Sequence, residues 1–140
     1  MLRSRRDFPL ARSWGRFLPP LGWMSIIFLM SAQPSLPSAD DPLLDVILKK
    51  AGHIAAYAVL MALLLRSATP DQGALTPGRI IACCVILFGY ACSDEFHQSF
   101  VPGRNSSLTD VILFDAAGGL LGLACYFWTR TRRDKRSPRQ

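Results

Sequence analysis

Charged and polar side chains of several chemical types are concentrated in one stretch, residues 94–115, that lies between apolar runs. It begins DEFHQSFVPGRNSSLTD, and Asp115 follows within the next apolar run. A charged side chain at the centre of a membrane helix costs about 2.5–3.5 kcal/mol on insertion scales. A membrane protein therefore keeps such groups for pairing or for function, and the stretch predicts a site.

Two adjacent carboxylates near a histidine are the groups best suited to chemistry. Asp94, Glu95 and His97 could perform acid–base work or bind a divalent cation. Successive residues of a helix project about 100° apart, however, so only one carboxylate can face a given centre. The D-E-x-H order differs from the metal-binding H-E-x-x-H pattern, and the four cysteines lack zinc-ligand spacing. We expect no metal and no cofactor, and the catalytic residues stay unassigned.

Basic side chains offer a second kind of chemistry. Arg104 together with Lys50 could hold a phosphate or carboxylate headgroup, the arginine through its planar fork of N–H donors. Binding of an anionic or amphipathic molecule of the cell envelope is the more economical interpretation of the two.

The elements that must position these groups are apolar runs of membrane length. Half of the 140 residues are hydrophobic, and they cluster in runs rather than in amphipathic stripes, which is typical of membrane helices. We predict an all-α integral membrane bundle of four transmembrane helices. The predicted spans are residues 18–32, 46–65, 79–97 and 108–128. The predicted domains are a basic N-terminal segment at 1–16, a membrane domain at 17–128 and a basic tail at 129–140.

The first run has a second interpretation. Arginines precede it and small residues follow it, so it also resembles a cleaved secretory signal. Trp23 and the two prolines at its start favour a retained helix, and the later spans keep their topology in either case.

The basic residues predict the orientation of the bundle. With both termini in the cytoplasm, that side collects five Lys or Arg before the first span, Arg66, Arg79 and six in the tail, 13 in all. The other side holds Lys49, Lys50 and Arg104. The positive-inside rule therefore places both termini in the cytoplasm. We expect the basic ends to contact membrane lipid headgroups and not nucleic acid.

This topology brings the polar ends of three spans to the same outer face. Lys50, His53 and Tyr57 are spaced i, i+3 and i+7, which places them on one side of the second span. The third span ends, and the fourth begins, with the stretch described above. The candidate ligand-binding residues are Lys50, His53, Tyr57, Asp94, Glu95, Gln98, Arg104 and Asp110.

Small residues predict how the fourth span packs. Asp115, Gly118, Gly119 and Gly122 are spaced i, i+3, i+4 and i+7. Glycines four residues apart form a surface that another helix backbone can approach closely. We predict that these four residues serve helix packing and that Asp115 faces protein rather than lipid.

Three motifs resemble the VanZ-like family of membrane proteins. They are K-x-x-H-x-x-x-Y at Lys50, His53 and Tyr57, then S-D-E-F-H-Q-S-F-V-P-G-R at 93–104, then D-V followed by G-x-x-x-G at Asp110, Val111, Gly118 and Gly122. The similarity covers roughly residues 20–128. It implies a small multi-pass protein of the bacterial inner membrane, and the family's namesake is associated with low-level resistance to the glycopeptide teicoplanin. The family usually has asparagine where this chain has Asp115.

Three functions stay open at this point. The first is an outer-face polar pocket that binds an envelope component, with a possible link to glycopeptide tolerance. The second is a membrane enzyme acting on a lipid headgroup, with Glu95 or Asp94 as general base and His53 as its partner. The third is a non-catalytic helical scaffold for an envelope complex. The sequence does not predict the oligomeric state.

Overall fold

The computed structural model describes residues 15–34, 40–69, 74–102, 104 and 107–136, and every regular element in these ranges is helical. The helices are α1 (Leu18–Ser31), α2 (Pro42–Ala68), α3 (Pro77–Gln98) and α4. Helix α4 begins with Leu108–Asp110, passes through a π-helical segment, Val111–Asp115, and continues as Ala116–Arg136. Most of the predicted N-terminal segment 1–16 lies outside the described residues.

Proline marks the first turn of the first three helices. Its missing N–H costs nothing there, because the first N–H groups of a helix have no partner within the helix. In α2 the side chain of Asp41 also accepts hydrogen bonds from the N–H groups of Leu43 (2.8 Å) and Leu44 (3.3 Å). The predicted start of the second span at residue 46, with a loop before it, is therefore wrong, since an aspartate cap followed by proline starts the helix at Pro42.

The far end of α2 also extends beyond its predicted span. The helix continues to Ala68, and both the backbone N–H and the hydroxyl of Thr69 donate to the carbonyl of Leu65 (3.0 and 2.6 Å). Hydropathy marks only the apolar part of a helix, so the predicted span ends at residue 65 and omits Arg66 and Ser67.

Three helices are long and apolar enough to cross a membrane: α2, α3 and the part of α4 through Arg133. Helix α1 is apolar but has only 14 residues, about 21 Å at the usual helical rise. Leucine, isoleucine and valine side chains on the outer surfaces of the helices are largely exposed, as Ile81, Val85 and Leu120 illustrate. These features confirm an all-helical, multi-pass membrane bundle.

Helix α2 is the centre of the bundle and packs against each of the other helices. Its closest neighbour is α4. A Cβ atom added to Gly118 would lie 2.5 Å from the carbonyl oxygen of Ile54, and one added to Gly122 would overlap the carbonyl oxygen of Ala58. Gly119 instead faces α3, where an added Cβ would meet the flexible side chain of Leu87. The glycines at 118 and 122 thus set the distance between α2 and α4.

Replacing these two glycines with alanine tests the close approach. We expect Gly118→Ala and Gly122→Ala each to lower the free energy of unfolding by about 1–3 kcal/mol, because the added methyl groups overlap backbone atoms. Gly89→Ala is the matched control, since nothing lies within 4 Å of its added Cβ. It should be neutral or stabilising by up to about 1 kcal/mol, because alanine favours helix. Unfolding by titration with denaturing detergent provides the measurement, and equal midpoints for all three variants would contradict the packing.

Candidate functional site

Polar side chains from all four helices meet at one end of the bundle, where α1 and α3 end and α2 and α4 begin. We call this the polar end, and the opposite end the basic end. The residues at the polar end form an interhelical polar cluster. Its members are Ser31, Lys50, His53, Tyr57, Asp94, Glu95, Gln98, Asp110 and Asp115.

The centre of the cluster is the carboxylate of Asp94, which is only 3% exposed. Its Oδ2 atom accepts hydrogen bonds from Ser31 Oγ (3.0 Å), Gln98 Nε2 (3.0 Å) and Tyr57 Oη (3.4 Å). The donors come from α1, α3 and α2, so one oxygen links three helices. A buried carboxylate needs such donors because burial removes its hydration.

Two acid–base pairs join α2 to α4. The Lys50 Nζ atom forms a salt bridge with Asp110 Oδ2, and His53 Nδ1 lies 3.0 Å from Asp115 Oδ1. Lys50 also lies over the ring of Phe114, 4.6 Å from its centroid. Asp115 is 1% exposed, so its contact with His53 replaces water as a partner for the carboxylate.

The π-helical segment explains how both carboxylates of α4 reach the same helix. Residues five apart in a regular α-helix point about 140° away from one another. From Val111 to Asp115 the helix has a wider turn, and the N–H of Ala116 donates to the carbonyl of Val111, an i→i+5 hydrogen bond. The wider turn reduces that angle, so Asp110 and Asp115 both face α2. Single π turns occur frequently at functional sites.

Glu95 and Arg104 form hydrogen bonds with backbone groups at the ends of helices. Glu95 Oε2 accepts a hydrogen bond from the backbone N–H of Ser107 (2.7 Å), immediately before α4. Arg104 donates to the carbonyls of Met30 (3.0 Å) and Gln33 (3.3 Å), at the end of α1. The structure thus brings Lys50 and Arg104 to different partners, and their joint binding of one anion stays a prediction.

Contacts of α1 were not anticipated from the sequence. Ser31 donates to Asp94, Trp23 Nε1 donates to the carbonyl of Ala56 (2.9 Å), and Tyr90 Oη donates to the carbonyl of Met24 (2.6 Å). Together these bonds fix α1 against α2 and α3. A serine in the last turn of an apolar run was the available signal, because such hydroxyls commonly bond across membrane helices.

Two carboxylate oxygens of the cluster can accept further hydrogen bonds. Asp94 Oδ1 and Asp115 Oδ2 are buried and have no hydrogen-bond partner among the described residues. Within the same residues, no three His, Cys, Asp or Glu side chains are arranged to hold a metal ion. The cluster can therefore accept further hydrogen bonds, or a proton, on carboxylate oxygens held close to a histidine.

The family comparison is decisive for the class of protein. The VanZ/LLP1 family model matches residues 16–130, most of the chain. The chain belongs to the VanZ/LLP1 family. The match runs from just before α1 into the last part of α4 and contains every residue of the polar cluster, and it confirms the resemblance found in the three sequence motifs. No curated protein and no solved structure matches this VanZ/LLP1 chain.

A double-mutant cycle tests the pairing of Lys50 with Asp110. We expect Lys50→Met and Asp110→Asn to be coupled by about 1 kcal/mol or more, because each single change leaves the other charge at a partly buried position. Lys49 and Asp45 provide a matched control within α2, at 2.7 Å and with Lys49 41% exposed. That exposed i,i+4 pair should couple by only about 0.3–0.5 kcal/mol. Equal coupling of the two pairs, measured from unfolding in detergent, would refute the special role of the α2–α4 pair.

Proposed function

We propose that this VanZ/LLP1 protein crosses the bacterial inner membrane four times, with both termini in the cytoplasm. The distribution of Lys and Arg supports this orientation. Contacts of α1 support a fourth crossing despite its length. The carbonyl of Arg16 accepts a hydrogen bond from Ser67 at the basic end (2.5 Å), and Ser31 bonds to Asp94 at the polar end. Helix α1 thus connects the two ends of the bundle.

Thiol labelling tests this orientation. In a variant without native cysteines, we expect Ser99→Cys to react with an impermeant thiol reagent on intact spheroplasts, and Thr131→Cys to react only after the membrane is opened. Both side chains are exposed, and they lie at opposite ends of the bundle. The reverse labelling pattern would overturn the orientation and place the polar end in the cytoplasm.

We infer that the polar end binds an anionic or amphipathic component of the cell envelope. The strongest support is that some side chains of the cluster are exposed to solvent while others are buried. Lys50 and His53 keep 30% and 25% of their side chains exposed, whereas Asp94 and Asp115 are almost completely buried. The amine of Lys50 and the imidazole of His53 are therefore accessible to an incoming group, while the buried carboxylates hold the helices and these two side chains in position.

The proposed ligand contacts follow from these positions. Lys50 binds a phosphate or carboxylate, His53 contributes a hydrogen bond, and the neighbouring carboxylate of Asp110 accepts from a hydroxyl or amine of the same headgroup. Phe114 beside Lys50, and the exposed aromatic pair of Phe96 and Phe100 near the end of α3, offer apolar contacts for the rest of an amphipathic molecule. A link to glycopeptide tolerance follows if the bound component is the glycopeptide itself.

One contact favours a second candidate, an enzyme acting on a lipid headgroup. His53 is held by the buried carboxylate of Asp115, which is how many general bases are oriented. Glu95 already accepts a hydrogen bond from the N–H of Ser107, so His53 rather than Glu95 is the better placed base. The scaffold alternative is supported by the bonds that cross between helices, and it requires no ligand.

Native mass spectrometry of the detergent-purified protein separates these functions. We expect the wild type and Lys49→Met to carry the same envelope molecule, and Lys50→Met to lose it, because both changes remove one lysine charge but only Lys50 faces Asp110. An enzyme would show a different bound species in His53→Gln, the unconverted substrate. A wild-type protein without a specific ligand, or equal retention by all variants, would contradict the proposal and favour a scaffold.

A further inference from the structure

A second polar feature lies at the basic end of the bundle, far along α2 from the polar cluster. A cavity of about 960 Å³ opens there between the start of α1, the end of α2 and the last turns of α4. Four arginines line it, Arg16, Arg66, Arg130 and Arg133, and we call it the basic cavity. None of the described residues that line it is acidic.

The arginines are gathered more tightly than membrane topology requires. Basic residues that only mark the cytoplasmic side can lie anywhere around a helix. Here the turn before α1 and the helices α2 and α4 all bring arginines to one concave space, although like charges repel one another. Two other arginines at the same end, Arg79 and Arg132, do not line the cavity, and Arg132 lies over the ring of Trp128 at 3.9 Å.

Hydrogen bonds between separate segments fix several side chains that line the cavity. The hydroxyls of Thr69 and Tyr126 are 2.5 Å apart and join α2 to α4, and Arg16 NH1 donates to the carbonyl of Thr69 (3.3 Å). Pro19, Ala62 and Leu63 supply an apolar wall. The cavity thus combines a cationic rim with an apolar side, the combination that a lipid with a negatively charged headgroup requires.

We propose that the basic cavity binds a phosphate group, carried either by an anionic membrane lipid or by a free phosphate ester. Arg66, Arg130 and Arg133 hold the phosphate oxygens, since guanidinium forks match phosphate geometry with paired N–H donors. The apolar wall receives the start of an acyl chain when the ligand is a lipid. This site is separate from the polar end and does not depend on the function proposed for it.

Matched double variants test the basic cavity. The full-length protein, purified in detergent, is titrated with phosphatidylglycerol or phosphatidylcholine, and bound lipid is counted by native mass spectrometry. We expect Arg66→Gln combined with Arg130→Gln to weaken phosphatidylglycerol binding about tenfold or more, because two charge-assisted contacts are lost. Arg79→Gln combined with Arg132→Gln removes the same charge at the same end and should have a much smaller effect. A thermal stability equal to that of the wild type in both double variants shows that folding is preserved.

The outcomes separate the possible sources of the phosphate. Preference for phosphatidylglycerol that is lost only in the cavity variant identifies a lipid site. If neither lipid is preferred, but inorganic phosphate still binds the wild type and not the cavity variant, the ligand is a free phosphate ester. Equal losses in both double variants would show a general effect of surface charge and overturn the proposal. So would a wild type that prefers no anionic lipid and binds no phosphate.

Discussion

The pairing of Lys50 and His53 on α2 with carboxylates on α4 is the interaction on which the polar end depends. Asp115 is buried in a bundle of apolar helices, and its partner among the described residues is His53. Leaving such a carboxylate without its partner costs about 3–5 kcal/mol. The contact needs a short distance between the helices, and Gly118 and Gly122 permit that distance where α4 meets the backbone of α2. Packing and electrostatics therefore depend on the same face of α4.

Much of this arrangement could be predicted from the sequence. The apolar runs indicate the helices, the spacing of Gly118 and Gly122 indicates a close helix contact, and the orientation indicated by the arginines stays a prediction. These signals come from repeated residue spacing or from properties summed over many residues. They therefore do not depend on the conformation of any single side chain. The start of α2 was recoverable as well, since Asp41 followed by Pro42 is a common helix start.

The pairing within the cluster could not be predicted in the same way. The polar stretch offers Lys50 four carboxylates, and spacing alone does not select Asp110 among them. The selection depends on the π-helical segment, which adds a wider turn that hydropathy does not reveal. Arg104 illustrates the same limit, because a long side chain can reach an anion or the end of a helix. In the structure it reaches the end of α1.

The two ends of the bundle differ in their chemistry. Acids and bases are interleaved at the polar end, which leaves Lys50 and His53 partly accessible. At the basic end the lining residues combine arginines with hydroxyls and apolar groups. Both arrangements fit a protein that binds headgroups at its two membrane surfaces, as proposed above. The proposed function requires the polar end to be the envelope-facing binding site.

Site-specific photocrosslinking in living cells tests that claim most directly. A benzophenone side chain in place of Phe114 lies beside Lys50, and one in place of Phe88, half exposed on α3, is the control. We expect position 114 to capture a specific envelope molecule that position 88 does not, and Lys50→Met to abolish the capture. If both positions capture the same bulk membrane lipids, with or without Lys50, the polar end is not a binding site.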